Sequence, residues 1–325
     1  MKALVCKELG LPDKLELVTD WSEPEPGEHD VIVDVKAAGL NFPDVLMIQG
    51  KYQHQPEMPF IPGGECAGVV SAVGSKVSRY KVGDKVIAAA GVGAFSEKVL
   101  ANEFGVFPMP EALSFEQAAG VCITYFTSYY ALKQRANLKK GETLLVLGAA
   151  GGVGSTAVEL GKLMGARVIA AASSAEKLEL CKQLGADELI NYSEVSLKDA
   201  VRELTDGKGV DVVYDPVGGD YSEPAVRSMA WNGRFLVIGF ASGPIPAIPL
   251  NLALLKGCSI VGVFWGRFSG EETEVQMQNG EELWALFDAG KLNPVVTDCF
   301  PLEQYEEAFN CLIDRKARGK VILTT

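Results

Sequence analysis

The sequence predicts an α/β protein with a doubly wound, mainly parallel sheet and a second, β-rich part. From residue 143 onward, apolar runs of strand length alternate with amphipathic helical stretches, which is typical of strand–helix–strand units. Before that, residues 1–120 carry short apolar runs separated by Gly and Pro, which is typical of a barrel-like domain. The two sequence patterns predict about two domains in 325 residues.

The β-rich part is predicted from four short apolar runs. These runs are Val31–Val35, Gly68–Val73, Lys85–Ala90 and Phe95–Leu100. Between residues 114 and 132 the pattern becomes helical. Ser114 is followed three residues later by Gln117, which predicts a capping box at the start of this helical stretch.

The parallel sheet is predicted to begin with a strand, a glycine-rich turn, a helix and a second strand. Thr143–Leu147 is the first strand, the turn reads AAGGVG, the helix covers Ser155–Met164, and Arg167–Ala172 is the second strand. Such a turn lets the backbone approach a pyrophosphate, and the helix N-terminus offers N–H groups to it. Ala149 replaces the first glycine of the usual pattern. The predicted cofactor contacts in the turn are Ala150, Gly151, Gly152 and Val153.

The end of the second strand predicts which dinucleotide binds. An acidic residue there would bind the ribose hydroxyls of NAD, but Ala172 is followed by Ser173, Ser174 and Lys177. No carboxylate repels a 2′-phosphate, and two hydroxyls and an ammonium can hold it, so NADPH is favoured over NADH. The alternative is that Ser173 only caps the next helix and Lys177 lies on a solvated face.

The remaining elements continue the alternation. Helices are predicted at 176–184, 197–204 and 220–229, and strands at 188–192, 210–214, 233–238 and 259–265. The tail is predicted to form helices at 280–289 and 302–315 and a closing strand at 320–323, and to return to the first domain.

Composition argues against several functional classes. The 30 Lys and Arg against 42 Asp and Glu give a formal charge of −12, which argues against binding nucleic acid or anionic membrane surfaces. The first ten residues have no long apolar core, so no signal peptide and a cytoplasmic location are expected. Two histidines and seven cysteines without a C-x-x-C pair make a metal site unexpected.

Further motifs appear in a recognisable order. They are AGLNFPD at 38–44, GKY at 50–52, PGGECAGVV at 62–70, VGDKV at 82–86, TYFTSY at 124–129 and GKV at 319–321. With the AAGGVG turn, they make the sequence resemble the zinc-free quinone oxidoreductases of the zeta-crystallin type, in the medium-chain dehydrogenase/reductase superfamily. Ala38 and Gly64 occupy the positions where zinc-dependent relatives carry metal ligands.

The resemblance implies a domain organisation and an assembly. It implies a GroES-like catalytic domain made of residues 1–122 and 266–325 around a Rossmann NADPH-binding domain at 123–265. It also implies a homodimer whose sheets join edge to edge through the strand near Ile260–Phe264.

The resemblance also implies candidate catalytic residues in the first domain. Asn41 is expected beside the nicotinamide and its ribose, although an Asx-turn role is the alternative. Tyr52 is expected to contact NADPH or substrate, unless it is a packing residue. Asp44 is either a polar group of the pocket or a helix cap, and the two readings stay open. A second tyrosine of the family is replaced here by Leu46.

Further cofactor contacts follow from the resemblance. Thr124 is expected to bind the carboxamide or a ribose, and Tyr192 is expected near the 2′-phosphate. Phe264 is a cofactor contact, core residue or dimer contact, and these readings stay open. The other predicted cofactor contacts are Phe240, Ala241, Val263 and Lys320.

The predicted activity is NADPH-dependent hydride transfer to a quinone or an α,β-unsaturated carbonyl, without metal. Hydrogen bonds from Asn41, Tyr52 or a ribose hydroxyl are expected to stabilise the developing enolate. An enoyl-CoA reductase of the acrylyl-CoA type is the alternative within this class. A non-catalytic NADPH-binding protein, as among zeta-crystallin-like proteins, is the alternative outside it.

Overall fold

The computed structural model describes residues 1–325, which form two compact units. Unit 1 comprises Met1–Ile123 and Trp284–Thr325, and unit 2 comprises Thr124–Leu283. Residues 266–283 therefore lie in unit 2, whereas the sequence predicted a return to the first domain at 266. Aromatic packing explains the difference, because Phe268 stacks on Tyr130 with ring centroids 4.0 Å apart inside unit 2.

The amino-terminal part of unit 1 contains seven strands and two short helices. They are β1 Ala3–Cys6, β2 Leu15–Val18, β3 Asp30–Leu40, α1 Phe42–Ile48, β4 Glu65–Val73, β5 Lys85–Ala89, β6 Lys98–Asn102, β7 Val106–Pro108 and α2 Phe115–Ala119. The predicted capping box precedes α2, since the N–H of Gln117 donates to Ser114 Oγ at 3.3 Å. The predicted helix 114–132 is interrupted after α2, because α2 ends at Gly120.

The chain then runs through unit 2 as alternating helices and strands. The elements are α3 Cys122–Tyr130, a π-helical turn at Ala131–Arg135, β8 Thr143–Leu147, α4 Gly152–Leu163, β9 Arg167–Ala172, α5 Ala175–Gln183, β10 Glu188–Asn191, α6 Leu197–Leu204, β11 Val210–Asp215, α7 Ser222–Arg227, β12 Met229–Val237, α8 Asn251–Lys256, β13 Ser259–Gly262, α9 Trp265–Glu271 and α10 Thr273–Asp288. The first turn of α3 and the last residues of α10 belong to unit 1. The predicted strand 259–265 ends early because Trp265 begins α9, where its indole N–H donates to Gln276 Oε1 at 3.0 Å.

The tail completes unit 1. Its elements are β14 Val296–Pro301, α11 Tyr305–Ile313 and β15 Lys320–Thr324. The seven-stranded sheet of unit 1 runs β14–β15–β3–β4–β5–β7, with β6 paired to β3. Strand β15 runs antiparallel to β3 with Val321 opposite Leu40, which places the closing strand beside the chain that leads into α1.

The six-stranded sheet of unit 2 is wholly parallel. Its order is β10–β9–β8–β11–β12–β13, so the chain moves outward from β8 first in one direction and then in the other. This is the doubly wound arrangement that the sequence predicted, and the fold class is confirmed. The switch point lies between β8 and β11, and ligands of such sheets bind outside the carboxyl ends of the strands at that point. None of the helices combines the length and apolar character that crossing a membrane requires.

Candidate active site

The glycine-rich turn connects β8 to α4 at the switch point of the parallel sheet. Gly148 adopts a φ of +55°, a conformation that favours glycine, and Gly151 is the N-cap of α4. The N-cap glycine has no side chain that could accept the first N–H groups of α4. An α-helix N-terminus of this kind is suited to binding a pyrophosphate.

Close packing explains the glycine at the third position of the turn. A Cβ at Gly154 would lie 2.2 Å from the carbonyl oxygen of Gly148, so only glycine lets α4 approach β8 this closely. Ala149, which replaces the first glycine of the pattern, is fully buried, and its N–H donates to the carbonyl of Ala171 at 3.1 Å. The alanine N–H is therefore bonded to β9, and the residue with positive φ in this turn is Gly148.

A buried network of hydroxyl groups joins α3 to the first residues of α4, directly after the turn. Ser128 Oγ of α3 lies 2.8 Å from both Thr156 Oγ1 and Tyr214 OH and donates to the carbonyl of Val153 at 3.0 Å. Thr156 Oγ1 is also 3.2 Å from the carbonyl oxygen of Thr124, and the Thr124 side chain is buried. Thr124, the third residue of α3, is thus tied to the start of α4.

The residues predicted for the 2′-phosphate gather at the carboxyl ends of β9 and β10. Asn191 pairs with Ala172, the N–H of Tyr192 donates to the carbonyl of Ala172 at 3.2 Å, and Ser193 Oγ donates to the carbonyl of Ser173 at 3.1 Å. Tyr192 is thereby brought beside Ser173, although the two residues are far apart along the chain.

The helix cap at this edge is Ser174. Its Oγ accepts the N–H of Lys177 at 3.4 Å, so Ser174 caps α5, whereas the alternative reading assigned that role to Ser173. The Ser173 hydroxyl takes no part in the cap. No acidic residue follows Ala172 within this turn, where the next residues are Ser173, Ser174 and Ala175.

An aromatic residue that the sequence reasoning missed packs against Tyr192. The rings of Tyr192 and Tyr221 are 4.4 Å apart at their centroids. Tyr221 follows Gly218 and Gly219, which both have positive φ and turn the chain sharply after β11. The Tyr221 ring thus limits where the Tyr192 ring can lie.

On the β11 side of the switch point, Asp215 bonds the loop that follows this strand. This buried carboxylate accepts the N–H groups of Val217 and Gly218 at 2.8 and 2.9 Å and the Ser222 hydroxyl at 2.6 Å. Burial raises the pKa of Asp215, and these three hydrogen bonds oppose the rise. Asp215 therefore shapes the loop after β11.

The segment after β12 lies on the loop that follows β11. The N–H of Ala241 donates to the carbonyl of Pro216 at 3.0 Å, and Phe240 lies next to Gly218, where a Cβ would come within 2.8 Å of its ring. The structure thus places Phe240 and Ala241 at the carboxyl ends of the strands, where the sequence predicted cofactor contacts.

The next predicted contacts lie beyond β13. The N–H of Val263 donates to the carbonyl of Val237 at 3.1 Å, and Phe264 precedes α9 with 47% of its surface exposed. Phe264 is therefore not a core residue.

In unit 1, Asn41 is part of a buried ion-pair cluster with Glu65 and Lys320. Lys320 Nζ lies 2.8 Å from Glu65 Oε1, and only 4% of Lys320 and none of Glu65 is exposed. The Asn41 amide lies between them, because Lys320 Nζ donates to its Oδ1 at 2.7 Å and its Nδ2 donates to Glu65 Oε1 at 2.8 Å. Asn41 Nδ2 also donates to the carbonyl of Gly39 at 3.1 Å.

These bonds bear on two predicted roles. Both N–H groups of the Asn41 amide already have acceptors, so the predicted donation to a developing enolate would have to displace one of them. Lys320 Nζ also donates to the carbonyl of Leu40 at 3.1 Å, so its three donors are used within unit 1. A direct contact of Lys320 with a cofactor would have to displace one of these bonds.

Asp44 lies beneath the same cluster and is almost fully buried. Its Oδ2 accepts the main-chain N–H of Asn41 at 2.8 Å, which is the capping role that the sequence left as one of two readings. Burial raises the pKa of Asp44 from 3.8 to about 7, against the opposing effects of that bond and of Lys320. A carboxyl group that is partly protonated near neutral pH is thus built into the unit.

Tyr52 follows α1 after a turn through Gly50, whose φ is +67°. Its ring packs against the hydrophobic core of unit 1, and its hydroxyl has no hydrogen-bond partner within the protein. Burial, followed by the charge of Asp44, raises the pKa of Tyr52. The phenol therefore stays protonated and has a proton to donate.

The positions of the absent zinc ligands carry no donor atoms. Ala38 is fully buried in β3, and a Cβ at Gly64 would meet the Ile123 side chain at 3.1 Å. Neighbouring Cys66 is buried, and burial raises its pKa to about 12, so it stays a thiol. The structure has no group of three or more His, Cys, Asp or Glu residues placed to hold a metal ion.

Sequence reasoning missed Glu65, Ser128 and Asp215. For Glu65 a signal was present, since a lone acid opens the apolar run ECAGVV and a charged residue is rarely buried without a partner. Ser128 and Asp215 have no such signal, because both belong to ordinary apolar elements and their partners come from elsewhere in the chain.

Comparison with known proteins places this geometry in a family. Residues 152–279 match the family described as zinc-binding dehydrogenase, and residues 27–111 match the alcohol dehydrogenase GroES-like domain. The chain is 41% identical to quinone oxidoreductase-like protein 2 homolog of Nematostella vectensis, covering 100% of this chain and 89% of that protein. It is 34% identical to the quinone oxidoreductase of Homo sapiens, covering 99% of this chain and 97% of that protein. The chain belongs to the quinone oxidoreductase family of medium-chain dehydrogenases/reductases.

Solved structures of the quinone oxidoreductase family agree with both units. The Escherichia coli quinone oxidoreductase, whose structure was solved in complex with NADPH, superposes with a TM-score of 0.93 at 31% identity and covers 100% of both chains. The Thermus thermophilus quinone oxidoreductase superposes with a TM-score of 0.87 at 38% identity, also over 100% of both chains. The resemblance predicted from the sequence motifs is confirmed.

Proposed function

We propose that this member of the quinone oxidoreductase family is an NADPH-dependent reductase that transfers hydride to a quinone or an α,β-unsaturated carbonyl without a metal ion. The observation that carries the proposal is the edge formed by the ends of β9 and β10. There the acid that would select NAD is absent, Tyr192 lies beside Ser173, and Lys177 follows in the first turn of α5. Relatives named quinone oxidoreductase, one of them solved with NADPH, support the same assignment.

The residues of unit 2 fit the charged parts of NADPH. The uncapped N-terminus of α4 would hold the pyrophosphate, and the Ser173 hydroxyl and the Lys177 ammonium would hold the 2′-phosphate. Thr124, Phe240, Ala241, Val263 and Phe264 stay predictions for the nicotinamide half. When bound, NADPH supplies the hydride, and the protein supplies position and hydrogen bonds.

Tyr52 is the proposed donor to the oxygen of the substrate. Its hydroxyl lacks a partner within the protein, and its raised pKa keeps the proton in place. Hydride addition at the β-carbon leaves negative charge on the carbonyl oxygen, and a phenol O–H can stabilise that charge. A proton from Tyr52 or from water then completes the reduction. Asp44 stays a candidate catalytic residue near Asn41, and with a pKa of about 7 it is proposed here to exchange a proton near neutral pH.

The proposed assembly is a homodimer joined at β13. This strand lies at the edge of the parallel sheet, and Ile260 on it is 39% exposed. An unpaired apolar edge strand is a ready site for pairing with another chain. Trp231, from the neighbouring strand β12, is 73% exposed, which extends the apolar surface beside this edge.

Turnover assays test the proposal. Oxidation of NADPH and of NADH is measured with 1,4-benzoquinone, 9,10-phenanthrenequinone and acrylyl-CoA as acceptors. Oxidation of NADPH in preference to NADH with a quinone is expected, and a preference for acrylyl-CoA would move the assignment to an enoyl-CoA reductase. Tight NADPH binding without oxidation by any acceptor would show a non-catalytic binding protein. Tyr52→Phe should lower kcat for quinone while NADPH affinity is retained.

A further inference from the structure

We propose that Glu65 and Lys320 are positioning residues that hold Asn41 as a hydrogen-bond acceptor only. Asn41 then binds a hydroxyl or N–H donor of the bound cofactor and takes no part in stabilising negative charge on the substrate. The inference rests on the proposed function, because it concerns which side chain of an NADPH-dependent reductase bonds the cofactor and which bonds the substrate oxygen.

The charges on either side of the Asn41 amide decide its orientation. Its oxygen faces the Lys320 ammonium at 2.7 Å, and its nitrogen faces a carboxylate oxygen of Glu65 at 2.8 Å. A flip of the amide would turn its N–H groups toward the ammonium and its oxygen toward the carboxylate. Both contacts would become repulsive inside a buried site, so only one orientation is allowed.

The ion pair itself is held on several sides. Glu65 Oε2 accepts the N–H of Ile123 in the first turn of α3 at 2.8 Å, and Lys320 Nζ also donates to the carbonyl of Leu40. Glu65 and Lys320 thus cannot turn away from Asn41 without leaving buried charges unpaired.

Two glycines leave the space that the ion pair occupies. A Cβ at Gly39 would lie 2.6 Å from Glu65 Oε1, and a Cβ at Gly120 would lie 2.9 Å from Lys320 Cγ. Side chains at these positions would push the charged groups apart. Glycine at these two positions therefore leaves the room that the Glu65–Lys320 ion pair needs.

The chemical consequence concerns what Asn41 can still bind. Both hydrogens of Nδ2 are used, by Gly39 and Glu65, and one lone pair of Oδ1 is used by Lys320. Oδ1 carries no hydrogen, so toward a ligand it can only accept from a donor, and it repels an anionic oxygen. Asn41 thereby orients a hydroxyl or amide donor, and the charge that develops on the substrate is left to another group.

The test changes the amide and the carboxylate one at a time. Asn41→Asp places two carboxylates against each other. Glu65→Gln puts an NH2 group either against the Asn41 amide and Lys320 or against the N–H of Ile123. Each variant should weaken NADPH binding by about tenfold or more.

Binding is measured by the fluorescence of NADPH without any acceptor, so that it is separate from turnover. Glu103→Gln is the matched control for replacing a buried glutamate of unit 1, since Glu103 is 4% exposed and bonds His29 instead. Single variants that bind NADPH like wild type would overturn the inference.

A measurement on the wild-type protein tests the inference even if the variants fail to fold. The side-chain amide protons of Asn41, observed by NMR with labelled asparagine, should stay protected from exchange when NADPH is added. Loss of protection on binding would show that the amide turns toward the ligand, and would overturn the inference. If wild-type protein binds NADPH and reduces a quinone while these results go against the inference, only the inference fails; if it does neither, the proposed function fails first.

Discussion

Replacing Asp44 with Asn should change how the stability of the protein depends on pH. In the folded protein burial raises the pKa of Asp44 from 3.8 to about 7, so the proton binds more tightly in the folded state than in the unfolded chain. A raised carboxyl pKa means that stability is highest at low pH and is lost as pH rises from the unfolded value toward the folded one. Above the folded pKa the loss is complete and the curve is flat.

The magnitude follows from the two pKa values. The shift spans about 3 pH units, and each unit corresponds to about 1.4 kcal/mol, so the full loss is about 4 kcal/mol. Between pH 5 and pH 8 the part that is lost is about 3 kcal/mol, because some of the loss occurs below pH 5. Asp44→Asn lacks the titrating group and should lack this part of the pH dependence.

The measurement is the difference in free energy of unfolding between wild type and Asp44→Asn, from urea denaturation at several pH values. Taking the difference cancels the titration of groups that do not interact with Asp44. Asp84→Asn is the matched control, since Asp84 accepts the N–H of Lys81 at 3.0 Å in an exposed turn and tests the loss of a capping carboxylate without its burial. A difference between wild type and Asp44→Asn that stays constant from pH 5 to pH 8, or that rises in favour of wild type, would refute the reasoning.

Three other predictions concern the cofactor site and the metal positions. Lys177→Ala should raise KM for NADPH by about tenfold or more and leave KM for NADH unchanged. Lys182→Ala, on the same helix, is the control. Equal effects of Lys177→Ala on both cofactors would remove the 2′-phosphate role. Gly154→Ala should weaken dinucleotide binding and cost about 1–3 kcal/mol of stability, because its Cβ meets backbone, whereas Gly270→Ala has open space; equal denaturation midpoints for the two variants would contradict the packing argument. Element analysis of the purified protein should find no stoichiometric zinc, and finding one zinc per chain would show that donors other than those expected at positions 38 and 64 bind it.

The features predicted well from the sequence are those whose determining residues lie within a few positions of each other in the chain. The turn from Ala149 to Gly154 carries its own signature, because glycine spacing and flanking periodicity reflect local backbone geometry. The strands β8 and β9 have the bounds predicted from their apolar runs, Thr143–Leu147 and Arg167–Ala172. Alternation of such strands with helices also predicted the doubly wound sheet.

The features that were missed depend on contacts between distant residues. Lys320 and Asn41 are 279 residues apart in the chain, and Lys320 and Glu65 are 255 apart. No local pattern relates them, since the register of β15 beside β3 brings them together. The motif around residue 41 predicted that Asn41 matters, but the direction in which its amide points depends on partners that the motif does not contain.

Asp44 is separate from the two charged groups that orient the Asn41 amide. Glu65 receives three donors, from the Asn41 side chain, Lys320 and the N–H of Ile123, whereas Asp44 bonds the main-chain N–H of Asn41. Burial raises the pKa of Asp44 to about 7, and the charge of Glu65 adds to the rise while that of Lys320 opposes it. Because Asp44 does not bond the Asn41 amide, its titration near neutral pH releases none of the bonds that orient that side chain. Asn41 can then keep one orientation on both sides of neutral pH.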